Sequence, residues 1–293
     1  SYVEPTEHKK RRVELESMQV PLQKIQLLSD HKKSFDPKEH YYWMYIPKKL
    51  APSPAFVVMV HGCLQTPHEF ALATGIHEAA EKEGFAVLFP DQSEYANPLE
   101  CWNWQDPENQ ERGAGEAKRM VDMIRHAVKK FHLDKSRVYG AGLSSGGSMI
   151  HILVNTYPEV FAASMAHSAP GFKTASSMLE GLHVMMHGSD HIQNPDKSLR
   201  KWSRKAPMLI VHGANDKVVH VKTATQSFEQ IKRLNELLDD TRSAPWKEEQ
   251  TPQGKKLVDV QGHTIVELRL VNGLGHAWGG GVTPTPHSDM NAP

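Results

Sequence analysis

Three residues that could together activate a hydroxyl group lie far apart in the chain: Ser144, Asp216 and His276. A serine hydroxyl is a weak nucleophile at neutral pH, and it needs a base to take its proton as it attacks a carbonyl. A histidine can take that proton and later return it to the leaving group. An aspartate can accept the second imidazole proton, which fixes the tautomer and stabilises the imidazolium. We therefore interpret these residues as a candidate nucleophile, orienting acid and general base.

Ser144 lies within the sequence G-L-S-S-G at residues 142–146, which has the pattern of a nucleophile elbow. A short apolar run precedes this sequence, and a helix is predicted over residues 148–155. On such a sharp strand-to-helix turn, side chains two residues before and after the serine would collide with the neighbouring strand and helix. Glycine at positions 142 and 146 removes these collisions. The flanking elements favour this interpretation over a flexible loop of small residues.

Alternating apolar and amphipathic segments predict the elements that position these residues. Besides the strand that leads into the elbow, strands are predicted at residues 23–28, 41–46, 55–60, 85–89, 161–167, 208–211 and 264–271. Helices are predicted at residues 67–82, 116–131, 148–155 and 222–238. Because strands and helices alternate, we predict an α/β-hydrolase fold, in which a mostly parallel central sheet carries helices on both faces. We expect residues 171–205 to form a small irregular cap and residues 241–254 a polar loop.

Each candidate catalytic residue follows the carboxyl end of a predicted strand, where catalytic groups gather in parallel sheets. Ser144 follows the elbow strand, and Asp216 and His276 follow the last two predicted strands. The order serine, aspartate, histidine along the chain is that of the α/β-hydrolases. Asp190 and Asp239 are competing acids, but neither directly follows a buried strand.

The negative charge that develops on a substrate oxygen needs two preorganised N–H donors, an oxyanion hole. We expect one donor to be the backbone N–H of Ser145, directly after the nucleophile. We expect the other to come from the loop after the predicted strand at residues 55–60, with Cys63 as the first choice. Neither role depends on the side chain.

The bulk composition bears on domain number and on partners. The chain has 293 residues, of which 39% are hydrophobic and 23% charged, as is typical of a globular protein. We predict one catalytic domain over residues 1–293 with a charged N-terminal segment at residues 1–20. Lys plus Arg and Asp plus Glu both total 34, so we expect neither nucleic acid nor a membrane surface as a partner. The sequence leaves the oligomeric state open.

Four further motifs accompany the elbow. Together the five are H-G-C-L-Q-T-P at 61–67, N-P-L-E-C-W-N-W at 97–104, R-G-A-G-E at 112–116, G-L-S-S-G-G at 142–147 and G-L-G-H-A-W at 273–278. With these motifs the chain resembles the polyhydroxybutyrate depolymerase family of esterases over residues 40–290. The resemblance implies an α/β-hydrolase fold and hydrolysis of polymer or acyl esters through Ser144, Asp216 and His276.

Two cysteines, Cys63 and Cys101, are compatible with one disulfide or with two buried thiols. The family resemblance implies the disulfide, which would stiffen the oxyanion loop and tie it to the loop that carries Trp102. A disulfide in turn indicates an exported protein, extracellular or periplasmic.

Three tryptophans lie beside the predicted site: Trp102, Trp104 and Trp278. A loop tryptophan is more often packed than exposed. Three together could instead form a flat apolar wall for a polyester chain or a phenolic ring. We expect one or two of them to line the substrate groove.

A metal site is not predicted. His183, His187 and His191 recur every four residues, which on a helix would place them on one face as metal ligands. Gly188 and the polar surroundings argue against a long helix there. We expect neither a metal nor another cofactor.

The resulting hypothesis is a metal-independent serine esterase that forms and hydrolyses an acyl-enzyme on short-chain hydroxyalkanoate polyesters or oligomers. One alternative is a feruloyl or acetyl esterase that acts on plant-wall esters. Another is an amide hydrolase on an acidic polymer such as poly(aspartate), which basic residues within 197–205 could attract, although a solvated surface explains those charges more simply. A non-catalytic binding protein of the same fold is disfavoured, because it would need none of the three candidate catalytic residues.

Overall fold

The computed structural model describes residues 20–27, 41–202, 204–239 and 245–280, together with the backbone of residues 288 and 289. Apart from Val20, the charged N-terminal segment predicted for residues 1–20 lies outside the described residues. Among the described residues, no helix has the length and apolar character needed to cross a membrane.

The elements are numbered here in chain order over the described residues. The strands are β1 (Gln23–Gln26), β2 (Tyr41–Tyr45), β3 (Phe56–Val60), β4 (Ala86–Phe89), β5 (Val138–Leu143), β6 (Ala163–His167), β7 (Met208–Gly213), β8 (Lys247–Thr251), β9 (Gly254–Val258), β10 (Thr264–Val271), β11 (Trp278–Gly279) and β12 (Ser288–Asp289). The α-helices are α1 (Pro67–Thr74), α2 (Ile76–Glu83), α3 (Gly115–Lys130), α4 (Ser145–Thr156), α5 (Met178–His187) and α6 (Lys222–Leu238). Short 3-10 helices span Pro107–Gln110 and Lys197–Trp202.

The large sheet has the strand order β1-β2-β4-β3-β5-β6-β7-β10-β9-β8. From β4 to β10 in this order, neighbouring strands are parallel. Both edges of the sheet are antiparallel. The predicted α/β-hydrolase architecture with a mostly parallel sheet is thereby confirmed. Because the central strands are parallel, the carboxyl ends of β5, β7 and β10 lie at the same edge of the sheet.

The core lies between the sheet and the helices that cover it. Every residue of β4 is buried, as expected for a strand covered on both faces. Helix α3 places Met120 and Ile124 in the core, and helix α6 places Phe228 and Ile231 there. These spacings of three and four residues define one face of a helix, so each amphipathic helix packs against the sheet through its apolar side.

The helix predicted over residues 67–82 is interrupted in the structure. Helix α1 ends at Gly75, which has a φ of 66° and donates its N–H to the carbonyl of Ala71. Helix α2 then begins at Ile76. A glycine in the left-handed conformation is a common helix end, because it lacks the Cβ that makes this conformation costly.

The prediction of a polar loop over residues 241–254 is wrong in its second half. There β8 and the start of β9 form an antiparallel hairpin at the edge of the sheet. Residues 241–244 lie outside the described part of the chain. Strand β8 has the sequence K-E-E-Q-T and lies mostly exposed or half-buried. An edge strand pairs through its backbone and often carries charged side chains, so it need not show the apolar pattern on which the prediction relied.

The cap predicted as irregular over residues 171–205 contains helix α5 and a 3-10 helix, so the prediction of irregular structure is wrong there. Helix α5 begins after Ser177, whose hydroxyl caps it, and ends at Gly188. One side of the helix packs close to Trp104, because a Cβ added at Gly181 would lie 3.4 Å from that ring. The carbonyl of Met185 accepts the N–H of His220 on the loop after β7.

The turn between β5 and α4 has the tight packing of a nucleophile elbow. Ser144 occupies it with φ 56° and ψ −123°. A Cβ at Gly142 would lie 2.4 Å from the carbonyl oxygen of Gly146, and a Cβ at Gly146 would lie 2.1 Å from the carbonyl oxygen of Val60. No side chain fits at either position, which confirms the predicted reason for both glycines.

We expect Gly146→Ala to lower the free energy of unfolding by about 3 kcal/mol, the upper end of the usual range for overpacking. The added methyl group would meet the backbone carbonyls of Val60, the last residue of β3, and of His61, and these cannot move without displacing the end of a central strand. Urea denaturation measures the change. Gly275→Ala is the matched control, because a Cβ there meets no atom within 4 Å. Equal denaturation midpoints for the two variants would contradict this explanation.

Candidate active site

Ser144, His276 and Asp216 converge at the carboxyl edge of the sheet. His276 Nε2 lies 3.0 Å from Ser144 Oγ. On the other side of the ring, His276 Nδ1 lies 2.8 Å from Asp216 Oδ2. Ser144 stands at the elbow between β5 and α4, whereas Asp216 and His276 lie on the loops after β7 and β10. The structure thus links the three predicted residues in a hydrogen-bonded chain from a hydroxyl group to a carboxylate.

The carboxylate of Asp216 is fully buried and held by several donors. Its Oδ1 accepts the backbone N–H groups of Val218 and Val219 at 2.8 and 2.9 Å, which leaves Oδ2 for His276. Burial acts to raise the pKa of Asp216, but the hydrogen bonds from His276 and from these two N–H groups outweigh it and lower the pKa. Asp216 is therefore ionised at neutral pH. A carboxylate can only accept, so Nδ1 of His276 is the donor in this contact, and in the neutral tautomer Nε2 presents its lone pair to Ser144.

His212, near the end of β7, is a second histidine beside Asp216 that was not predicted from the sequence. Its Nε2 donates to the carbonyl of Val219 at 2.9 Å and lies 3.5 Å from Asp216 Oδ2. Burial lowers the pKa of His212, so its ring stays neutral at neutral pH. Its position four residues before Asp216 on a buried strand was the only signal in the sequence, and many core histidines share such a position.

The backbone around the predicted oxyanion hole has a specific pattern of used and unused donors. The N–H of Ser144 donates to the carbonyl of His167, and the N–H of Leu64 donates to that of Leu99. Among the turn, loop and cap hydrogen bonds of the described residues, none is donated by Cys63 or Ser145. Ser145 is the first residue of α4, where N–H groups lack partners within the helix. Both predicted donors are therefore available to an anion.

Buried polar side chains hold the loop that carries Cys63. His61 Nδ1 donates to the carbonyl of Gly62 at 2.7 Å, and its Nε2 accepts the N–H of Gln92 at 3.1 Å. The N–H of Gly62 donates to the side chain of Gln65 at 2.7 Å. A neutral imidazole satisfies both of its contacts here, since one nitrogen donates and the other accepts. The loop conformation is thus fixed from both sides of Gly62.

The predicted disulfide between Cys63 and Cys101 is present, with the two Cα atoms 4.1 Å apart. It joins the oxyanion loop to the loop that carries Trp102. Next to it, Ser145 Oγ accepts the N–H of Trp102 at 3.3 Å and lies 3.4 Å from Cys63 Sγ. The disulfide and the Ser145 hydroxyl therefore connect both loops to the first turn of α4.

Two of the three predicted groove tryptophans are core residues, which corrects their expected role. Trp102 is 1% exposed, and its indole N–H donates to the carbonyl of His61 at 3.0 Å. Trp104 is 7% exposed and packs beneath α5. Because both rings are buried, neither is placed to form a wall of an open groove. Trp278 is partly exposed, so its predicted contact with substrate stays a prediction.

The buried carboxylate of Glu116 organises the loop of residues 97–104. It accepts hydrogen bonds from the Gln92 side chain at 2.6 Å and from both the backbone and the side chain of Asn103 at 2.9 and 3.0 Å. Burial raises the pKa of Glu116 despite these donors. The R-G-A-G-E motif at residues 112–116 therefore has a supporting role for the disulfide loop, which its sequence alone did not indicate.

The histidines considered as metal ligands lie on or beyond α5. The rings of His183 and His187 are 4.7 Å apart on the helix, and His191 follows after the helix has ended at Gly188. No group of three or more His, Cys, Asp or Glu side chains in the described part of the chain is arranged to hold a metal ion. The competing acid Asp190 has a side chain that is 76% exposed and lies 3.9 Å from His183.

We expect replacement of both cysteines by alanine to lower the free energy of unfolding by about 2–4 kcal/mol, the usual range for a native disulfide. Urea denaturation of the two proteins measures the difference. The same change should also lower kcat/KM for an ester substrate at a temperature where the variant is still folded, because the loop that carries Cys63 is no longer held by the disulfide. A thiol count on the unfolded, unreduced wild-type protein is the control. Two reactive thiols would contradict the disulfide.

Comparisons with known proteins identify the family of the chain. The family model described as Esterase PHB depolymerase matches residues 40–252. Feruloyl esterase B of Neurospora crassa is 31% identical over 202 residues, which are 64% of this chain and 68% of that protein. Poly(3-hydroxyalkanoate) depolymerase C of Paucimonas lemoignei is 28% identical over 244 residues, which are 79% of this chain but only 57% of that protein.

Among solved structures, acetyl xylan esterase from Aspergillus awamori superposes with a TM-score of 0.69 at 23% identity, over 87% of this chain and 93% of that chain. At this identity the likeness bears on the fold alone. The family match covers most of the described residues and includes the elbow. The two relatives described above are named a feruloyl esterase and a depolymerase. The chain therefore belongs to the Esterase PHB depolymerase family and is a serine carboxylic-ester hydrolase with an α/β-hydrolase fold.

Proposed function

We propose that Ser144, His276 and Asp216 are the catalytic triad of this hydrolase and that it cleaves short-chain hydroxyalkanoate polyesters or their oligomers. The observation that carries the triad is the hydrogen-bonded chain through His276, with 3.0 Å to Ser144 Oγ and 2.8 Å to Asp216 Oδ2. These distances lie within the range over which a proton is transferred between a nucleophile and its base.

Acylation follows from this geometry. Ser144 Oγ attacks the ester carbonyl carbon while its proton passes to His276 Nε2. The imidazolium is stabilised by Asp216, and the electron pair of the carbonyl moves to its oxygen. The N–H groups of Cys63 and Ser145 would stabilise this oxyanion. When the carbonyl re-forms, the bond to the alcohol oxygen breaks, and that oxygen takes the proton from Nε2.

Deacylation reverses the roles with water as the nucleophile. A water molecule gives one proton to His276 Nε2 and attacks the acyl carbon through its oxygen. The same two N–H groups would stabilise the second oxyanion. When this intermediate collapses, the bond to Ser144 Oγ breaks, and Oγ takes the proton back from His276. The products are a free acid and the restored enzyme.

Apolar side chains exposed on the elements around the triad support an uncharged acyl chain as substrate. Leu99 lies on the disulfide loop and Val218 on the loop of Asp216, and both are exposed. Helix α5, which contacts both of these loops, exposes four more apolar side chains: Met178, Leu179, Leu182 and Met186. Exposed apolar side chains can bind an apolar substrate where they form one contiguous patch. A hydroxyalkanoate chain matches it in chemistry, and one relative is named a poly(3-hydroxyalkanoate) depolymerase.

A feruloyl or acetyl esterase is the second candidate, because the relative with 31% identity is named feruloyl esterase B. An amide hydrolase on an acidic polymer has less support. Arg204 donates to the carbonyl of Glu159, and Lys205 pairs with Asp259 at 2.9 Å, so both basic side chains are already engaged. The disulfide supports an extracellular or periplasmic location, since such bonds persist in oxidising compartments. Recovery of the native protein from cytosol in reduced form would contradict that location.

We expect Ser144→Ala to lower kcat/KM for p-nitrophenyl butyrate by at least about 10³-fold, because the acyl-enzyme can no longer form. Labelling by a fluorophosphonate probe should be lost as well. Ser164→Ala is the matched control, since the buried Ser164 hydroxyl has no hydrogen-bond partner among the described residues. A near-wild-type rate for Ser144→Ala would overturn the mechanism.

A substrate panel tests the acyl specificity. Wild-type protein is assayed on hydroxybutyrate trimers and films, methyl ferulate, acetylated xylan and poly(aspartate), with Ser144→Ala as the blank. We expect kcat/KM to be highest for the hydroxybutyrate trimer, because its aliphatic acyl chain is uncharged and long enough to contact the exposed apolar side chains, whereas an acetyl group is too short to do so. Higher kcat/KM for methyl ferulate or acetylated xylan would support the second candidate and exclude the first.

A further inference from the structure

His167 is a buried histidine beside the triad that the mechanism above does not use. It is the last residue of β6, which pairs in parallel with β5, and it is 2% exposed. Its backbone carbonyl accepts the N–H of Ser144 at 2.9 Å. The main chain of His167 therefore touches the nucleophile directly, while its side chain points to a different part of the site.

The imidazole of His167 contacts the segment that follows the proposed base. Its Nε2 lies 3.3 Å from the backbone N of Gly279, and its ring stacks on Trp278 with the centroids 5.3 Å apart and the planes 26° apart. Its Nδ1 lies 3.0 Å from Ser168 Oγ. Because an amide N–H can only donate, Nε2 must carry the lone pair, and Nδ1 then donates its proton to Ser168.

Burial makes this arrangement insensitive to pH over the working range of an esterase. Burial lowers the pKa of His167 to about 3, and nearby His212 and His276 act in the same direction. The ring therefore stays neutral and keeps its acceptor nitrogen. A charged ring at this place would lose the acceptor and would also oppose formation of the imidazolium on His276.

The loop of His276 is held at two ends. Before His276, the carbonyl of Leu274 accepts the N–H of Asn215 at 2.9 Å, which connects this loop to the loop that carries Asp216. After it, Trp278 contacts both the His167 ring and the ring of Phe70, which lies perpendicular to the indole with the centroids 5.6 Å apart. The contact with His167 thus connects the loop of His276 to the strand beside Ser144.

We propose that His167 is a positioning residue, whose Nε2 acceptor and ring face hold the Trp278–Gly279 segment so that His276 Nε2 stays within hydrogen-bond distance of Ser144 Oγ. This inference rests on the proposed triad. His167 touches no reacting atom. It joins the nucleophile through its backbone and the loop of the base through its side chain, so one residue sets the separation of the two.

Paired substitutions test the acceptor. In His167→Gln the side-chain oxygen can reach the place of Nε2, whereas in His167→Asn the side chain is too short. We expect His167→Asn to lower kcat for p-nitrophenyl butyrate by about 10–100-fold with little change in KM, the effect of a lost hydrogen bond and a displaced base. We expect His167→Gln to recover most of that loss.

The control is His151→Leu, which removes another buried imidazole from the core. Both ring nitrogens of His151 lack a hydrogen-bond partner among the described residues. We expect this variant to keep the wild-type kcat. A wild-type kcat in His167→Asn, or equal losses in His167→Asn and His167→Gln, would overturn the positioning role. Activity of Ser144→Ala in the same assay would instead overturn the triad, so the two failures are distinguishable.

If His167→Asn does not fold, amide exchange in the wild-type protein tests the hydrogen bond on which the proposal depends. We expect the Gly279 N–H to exchange slowly, because it donates into a buried acceptor. Free exchange of this amide in the folded enzyme would overturn the proposal.

Discussion

The backbone conformation of Ser144 is the constraint on which the site depends. A positive φ is disfavoured for a residue with a side chain, and such strain costs about 1–3 kcal/mol. The surrounding structure imposes it. The N–H of Ser144 is bound by β6, its carbonyl accepts the N–H of Ser148 in α4, and Gly146 is pressed against the backbone of β3. Packing of two central strands and one helix thus offsets the strain and aims the hydroxyl at His276.

On the side of the predicted oxyanion hole, the side chains hold loops together and take no part in the reaction. The disulfide, the Ser145 hydroxyl and the ring of His61 each join segments that are distant in sequence. Behind them, Glu116 gathers donors from Gln92 and Asn103. Such a network leaves little freedom to the N–H groups that would face the substrate, and preorganised donors stabilise an oxyanion without reorganising during the reaction.

Charge in the site is confined to Asp216. Burial keeps His167 and His212 neutral, so no second cation competes with His276 when it takes a proton. The carboxylate is ionised because the hydrogen bonds from the backbone and from His276 outweigh the cost of burial. The imidazolium that would form during catalysis therefore has one counter-ion at 2.8 Å, a carboxylate whose side chain is fully buried.

The sequence by itself determined the parallel sheet, the elbow and the three residues that meet at its edge, because apolar runs, glycine spacing and strand order are local signals. Only the tertiary structure decided where Trp102 and Trp104 lie and that His167 and Glu116 support the site. These outcomes depend on contacts between residues far apart in the chain, such as the ring of His167 and the N–H of Gly279, 112 positions later. Local patterns miss them because a buried histidine or tryptophan looks the same in sequence whether its partner is substrate, backbone or another ring. The edge strand β8 was missed for a related reason. It pairs through its backbone, and its charged side chains do not show the apolar pattern by which strands are predicted.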